Sequence, residues 1–88
     1  MPDRYSIEMR PSAFKALDKL PSDIAGRILD KIEQLAINPR PPGCKLLVGH
    51  DDEWRIRVGN YRIIYQIFQV ELVVLTIAVA YRREAYRD

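Results

Sequence analysis

Glu53-Trp54-Arg55-Ile56-Arg57-Val58-Gly59-Asn60-Tyr61-Arg62-Ile63-Ile64-Tyr65-Gln66-Ile67-Phe68 is the stretch on which the fold turns. Its first six residues alternate. Trp54, Ile56 and Val58 fall on one side and Arg55 and Arg57 on the other, the period-two pattern of a half-buried strand. Gly59-Asn60 is a two-residue turn signal, so Tyr61 to Phe68 runs back as an antiparallel strand. With Tyr61, Ile63 and Tyr65 facing the core, Arg62 joins Arg55 and Arg57 on the open face. No acidic residue lies between Trp54 and Val70. Three arginines converging on one sheet face are what the phosphates of a nucleic acid require, although an exposed sheet face also carries arginines simply for solubility.

Outward from this hairpin the rest of the architecture follows. Val70 to Ala80 is a nearly continuous apolar run, the pattern of a central strand covered on both faces for much of its length. Towards the N-terminus, Tyr5 to Arg10 alternates with Tyr5, Ile7 and Met9 inward, a first strand. Pro11 ends it and suits the first turn of a helix. Residues 12–20 then place Phe14, Leu17 and Leu20 three apart on a short amphipathic helix. Pro21 breaks that helix, and Ser22 or Asp23 offers an N-cap for the next. Ile24, Ile28, Ile32 and Leu35 form the apolar stripe of this second helix, which Asn38-Pro39 stops. Pro39-Arg40-Pro41-Pro42-Gly43 is a rigid loop. The order predicts an α+β, two-layer fold: an N-terminal strand and an antiparallel helix hairpin packed on a mostly antiparallel four-stranded sheet. Residues 1–88 form one domain.

Composition narrows the function. Eighty-eight residues, 48% of them hydrophobic, build one core and are too apolar for a disordered chain. A single cysteine, Cys44, and a single histidine, His50, exclude a disulfide framework and a Cys-rich or multi-His metal centre. Cys44 after Pro-Pro-Gly reads as a small filler and His50 as a solvated loop residue. The first residues lack the apolar core of a signal peptide, and Leu72 to Tyr81 is about half the ~20 residues a membrane helix needs. The expectation is a cytoplasmic protein with no membrane association and no cofactor. Its charge is uneven: residues 1–52 balance eight basic against eight acidic groups, whereas residues 53–88 carry six arginines against four carboxylates. The net +2 therefore belongs to an all-arginine C-terminal half. Arginine's planar fork suits bidentate contact with phosphate.

The run Trp54 to Ile67 resembles the sheet signature of the RelE/ParE-superfamily toxins of type II toxin–antitoxin pairs. Ala78-Val79-Ala80-Tyr81-Arg82-Arg83-Glu84-Ala85-Tyr86 is similar to their C-terminal element, in which an arginine precedes a tyrosine by four positions. Lys15-Ala16-Leu17-Asp18-Lys19-Leu20-Pro21, and the Asn38-Pro39-Arg40-Pro41 break before Lys45-Leu46, match as well. The resemblance implies a compact toxin held by a RelB-like cognate antitoxin. Of the two branches, RelE toxins cleave mRNA in the ribosomal A site, and ParE toxins poison DNA gyrase. The RelE pattern implies Arg62, Arg82 and Tyr86 as catalytic residues, with Arg55, Arg57, Lys45 and Arg83 holding RNA. These occupied positions favour the RelE branch. A ParE-like gyrase inhibitor, or a catalytically weak basic module that binds antitoxin or RNA, is the alternative.

The implied reaction is metal-independent attack of a ribose 2′-hydroxyl on the adjacent phosphorus. Arg62 neutralises the phosphorane, Arg82 assists the leaving oxygen, and Tyr86 orients or deprotonates the nucleophile. Two positions depart from the best-known members. Arg55 and Arg57 stand where those have lysine, and arginine does not give up a proton. Tyr81 stands where many have histidine.

Overall fold

The computed structural model describes residues 4–47 and 52–81. In chain order it contains β1 (Ser6–Met9), α1 (Pro11–Asp18), α2 (Ser22–Gln34), β2 (Lys45–Leu46), β3 (Glu53–Val58), β4 (Tyr61–Phe68) and β5 (Val73–Tyr81). The strands form one sheet in the order β1-β5-β4-β3-β2. β1 runs parallel to β5 and every other pairing is antiparallel. α1 packs over β5 and α2 over β3, so the helices form one layer and the sheet the other.

The β3–β4 turn forms where Gly59-Asn60 predicts it, with Gly59 at φ +59°, a conformation that strains residues bearing a Cβ. Val58 then pairs with Tyr61, Ile56 with Ile63, and Trp54 with Tyr65. Ile63 pairs onward with Val79 of β5, so a row of branched side chains crosses three strands. Ala13 and Leu17 of α1 and Ile28 and Ile32 of α2 close over this face with Leu35. A β-bulge interrupts the β4–β5 register between Ile64 and Tyr65 and brings Thr76 opposite Tyr65.

The proline-rich loop is fastened to the end of the same hairpin. The buried Tyr65 hydroxyl donates to the Pro39 carbonyl at 2.8 Å. The Arg40 guanidinium stacks 5.0 Å from the centre of the Trp54 ring, and its Nη2 donates to Gln69 Oε1 at 2.8 Å. Burial, with a smaller contribution from Cys44, pushes the Tyr65 phenol well above its usual range.

The two-layer α+β architecture is as expected, but several local details differ. The sheet has five strands rather than four. The extra one, β2, is two residues long and carries no periodic signal, and Leu47 N–H ties its end to the Glu53 carbonyl at 2.9 Å. Phe14 is 66% exposed, and α1 buries Ala13 beside the expected Leu17. Steps of three residues drift by ~60° round a helix, so Phe14, Leu17 and Leu20 cannot share one narrow stripe. Ser22 and Asp23 lie inside α2; Pro21 is its N-cap, with no capping side-chain hydrogen bond. β5 begins at Val73 rather than Val70: Leu72 takes φ +58° in the connection, and Val70 is 92% exposed.

Replacing Tyr65 by Phe strands the Pro39 carbonyl and is expected to cost about 1–3 kcal/mol in urea unfolding at neutral pH. The native phenol ionises only above the range in which an unfolded tyrosine does, so wild-type stability falls as pH rises past about 10. Tyr65→Phe should remove that part of the slope. Coincident alkaline profiles for the two proteins would contradict this.

Candidate active site

Residues opposite one another in an antiparallel ladder share a face, so the register alone places the cations. Arg57 pairs with Arg62, and Arg55 with Ile64. On the other side of β3, Lys45 pairs with Arg55. Ile56, Ile63 and Val79 point into the helices, so Lys45, Arg55, Arg57 and Arg62 point away from them. On β5 the same two rows end in Ala80, opposite Arg62, and Ala78, opposite Ile64. Long cationic side chains on β2, β3 and β4 thus stand beside short ones on β5.

Two like-charged pairs directly across a ladder are unfavourable in themselves. Here they stand in adjacent rows, Arg57–Arg62 and Lys45–Arg55, with Arg55 and Arg57 about 7 Å apart along β3. A bound polyanion turns that repulsion into attraction. The face is divided along its length. Towards the β4–β5 connection it carries Glu53 and Gln66 opposite Leu75, then Phe68 opposite Val73. Phe68 is 39% exposed and Leu72 40%, so an apolar end adjoins the cationic one.

The three sheet arginines share one face, as expected, and the structure grades their exposure. Arg57 is exposed, Arg55 is half-buried, and Arg62 retains 4% of its surface. Arg55 and Arg62 are each engaged in an interaction within the protein. The field of a guanidinium withdrawn from water is screened less at a nearby anion. Lys45 is exposed at the β2 end of the second row. Arg82, Arg83 and Tyr86 lie outside the described residues, as does His50. Arg82 follows directly on Tyr81, the last described residue of β5.

Sequence reasoning did not anticipate the Lys45–Arg55 pair, because the two-residue β2 was not expected. It also missed the contact of Tyr81 with Tyr61, whose ring centroids lie 5.4 Å apart at 88°. Cys44 is half-buried in the loop beside Tyr65, in keeping with a packing role. Among the described residues no group of three His, Cys, Asp or Glu side chains is placed to hold a metal ion.

With this geometry in view, comparison with known proteins is specific. Residues 7–86 match the profile of the ParE toxin of the parDE type II toxin–antitoxin system. A RelE-like toxin protein of Escherichia coli is 30% identical over 84 residues, spanning 93% of this chain and 87% of that protein. The archaeal RelE–RelB complex from Pyrococcus horikoshii OT3 contains a chain that superposes with a TM-score of 0.80 at 27% identity, covering 90% of this chain and 96% of that one. The intact E. coli RelBE complex gives 0.77 at 26% identity, covering 88% and 95%.

Because Arg57 opposes Arg62, Arg57→Gln should raise stability by a few tenths of a kcal/mol at low salt. The gain should vanish near 1 M salt, where the Debye length falls to about 3 Å. Chemical unfolding at the two ionic strengths measures this; a variant less stable than wild type at low salt would show that the pair is not repulsive.

Proposed function

The chain belongs to the ParE toxin family of type II toxin–antitoxin systems, within the RelE/ParE superfamily, and on that premise we propose that it is a ribosome-dependent endoribonuclease that cuts mRNA in the A site and halts translation. The observation that carries this reading is the double row of like charges, Arg57–Arg62 beside Lys45–Arg55, on the sheet face turned away from the helices. RelE–RelB complexes stand among its structural neighbours, which supports a RelE-like toxin.

In the proposed reaction the ribose 2′-oxygen attacks the neighbouring phosphorus and the bond from phosphorus to the 5′-oxygen breaks. A 2′,3′-cyclic phosphate and a 5′-hydroxyl end result. Tyr86 orients the 2′-hydroxyl, whose proton passes to the Tyr86 phenolate or to a ribosomal group, and Arg82 hydrogen-bonds the leaving 5′-oxygen, which is protonated from solvent. Arg62, withdrawn from water, stabilises the charge that builds on the phosphorane. Arg55, Arg57, Lys45 and Arg83 hold the backbone. Arginine at 55 and 57 restricts those positions to electrostatic work, which leaves proton transfer to Tyr86 or to a ribosomal group.

A RelB-like antitoxin is the proposed partner, covering the cationic face with an acidic or amphipathic segment. The site of action is the cytoplasm, where the ribosomes are. Among the described residues no helix is long and apolar enough to cross a membrane. A second reading, inhibition of DNA gyrase, is favoured by the family profile, which is that of ParE. The occupied RelE positions speak for RNA.

Toeprinting on ribosomes programmed with a defined message tests the proposal. Wild-type protein should produce cuts within the A-site codon, and Arg62→Ala should slow cutting by about 10²–10³-fold. A message left intact by the wild type would overturn the nuclease reading. Equal cutting by the variant would overturn the role given to Arg62.

A further inference from the structure

At the end of the sheet where Arg57 faces Arg62, the helix side carries a second cationic feature. Lys15 and Lys19 lie four residues apart and so on one side of α1. With Tyr61 and Tyr81 they line a hollow of about 500 Å³, a volume in the range that accepts a small ligand. Tyr61 braces Tyr81 edge to face, and Tyr81 presents 42% of its surface to solvent. Tyr61 also lines an adjoining hollow of about 160 Å³ with Arg27 of α2. The Arg27 guanidinium lies over the β3–β4 turn, with Nη2 3.8 Å from where a Cβ on Gly59 would stand. Among the described residues no carboxylate lines either hollow.

Strand alternation joins this region to the open face. Tyr61 precedes Arg62, and Ala80 opposite Arg62 precedes Tyr81, so neighbouring residues project to opposite sides of one sheet end. Cations from α1 and α2 therefore lie on one side of that end and those from β3 and β4 on the other. Positive charge beside aromatic rings is the composition that binds single-stranded nucleic acid: phosphates meet the cations, and any base can stack on a ring. An acidic peptide would meet the lysines as well but would leave the paired rings unused.

We propose that this groove is a binding subsite for single-stranded RNA, in which Lys15 and Lys19 take a phosphate and the Tyr61–Tyr81 pair takes a stacked base. The inference rests on RNA being the substrate class of the open face. The strand has two possible sources with the same chemistry, the message flanking the cut and ribosomal RNA beside it.

The test measures fluorescence anisotropy of a labelled, unstructured ten-nucleotide RNA against wild type, Lys15→Gln/Lys19→Gln and Tyr81→Ala, with melting curves to confirm folding. Each variant should bind about tenfold more weakly. The lysine variant should also lower the slope of log affinity against log salt by about 1. Variants within twofold of wild type, with the same slope, would overturn the proposal, as would a wild type that binds no RNA. Wild-type protein that binds RNA through the groove yet leaves ribosome-bound message uncut would remove the nuclease reading and keep the subsite. Placing 4-thiouridine in the message or in ribosomal RNA separates the sources: a cross-link from either that the lysine variant loses supports the groove. Cross-links from neither to wild-type protein would overturn it.

Discussion

The register of the β3–β4 hairpin is the constraint from which both the core and the cationic face follow. With Gly59 in the left-handed region, Arg57 meets Arg62 and Ile56 meets Ile63. A slip of one residue on either strand would drive arginines into the helices and expose the isoleucines. Burial of Ile56, Ile63 and Val79 therefore holds the arginine rows in place, even though those rows repel. The hydrophobic core thus fixes a like-charge arrangement that cross-strand pairing alone would not favour.

The hairpin is in turn held at its other end by the proline-rich loop. Tyr65 reaches the Pro39 carbonyl from the core face, and Arg40 covers Trp54. These contacts are on the helix side and leave the opposite face of β3 and β4 to its cations. Support on one face and chemistry on the other is the division of labour that strand alternation permits in an 88-residue chain.

Much of this was legible in the sequence because period-two alternation and a glycine turn are local signals. The common face of Arg55, Arg57 and Arg62, the inward Trp54 and Ile56, and the stripe of Ile28, Ile32 and Leu35 all follow from spacing. What was not legible depends on neighbours distant along the chain. β2 is a strand only because β3 pairs with it, and so the Lys45–Arg55 opposition has no local sign. The near-complete burial of Arg62 and the exposure of Phe14 are set by which elements pack where, not by residue type. Val70 continues an apolar run in the sequence, yet the chain turns through Leu72 before β5 begins. Tyr61 and Tyr81 meet because their strands are adjacent in space.

The central claim is that the cationic face acts on mRNA during translation, and parallel pulse-labelling after tightly controlled expression tests it most directly. Incorporation of labelled amino acid should collapse first, while thymidine incorporation continues. Loss of DNA synthesis and induction of DNA damage, with amino-acid incorporation intact, would contradict the account and point to gyrase.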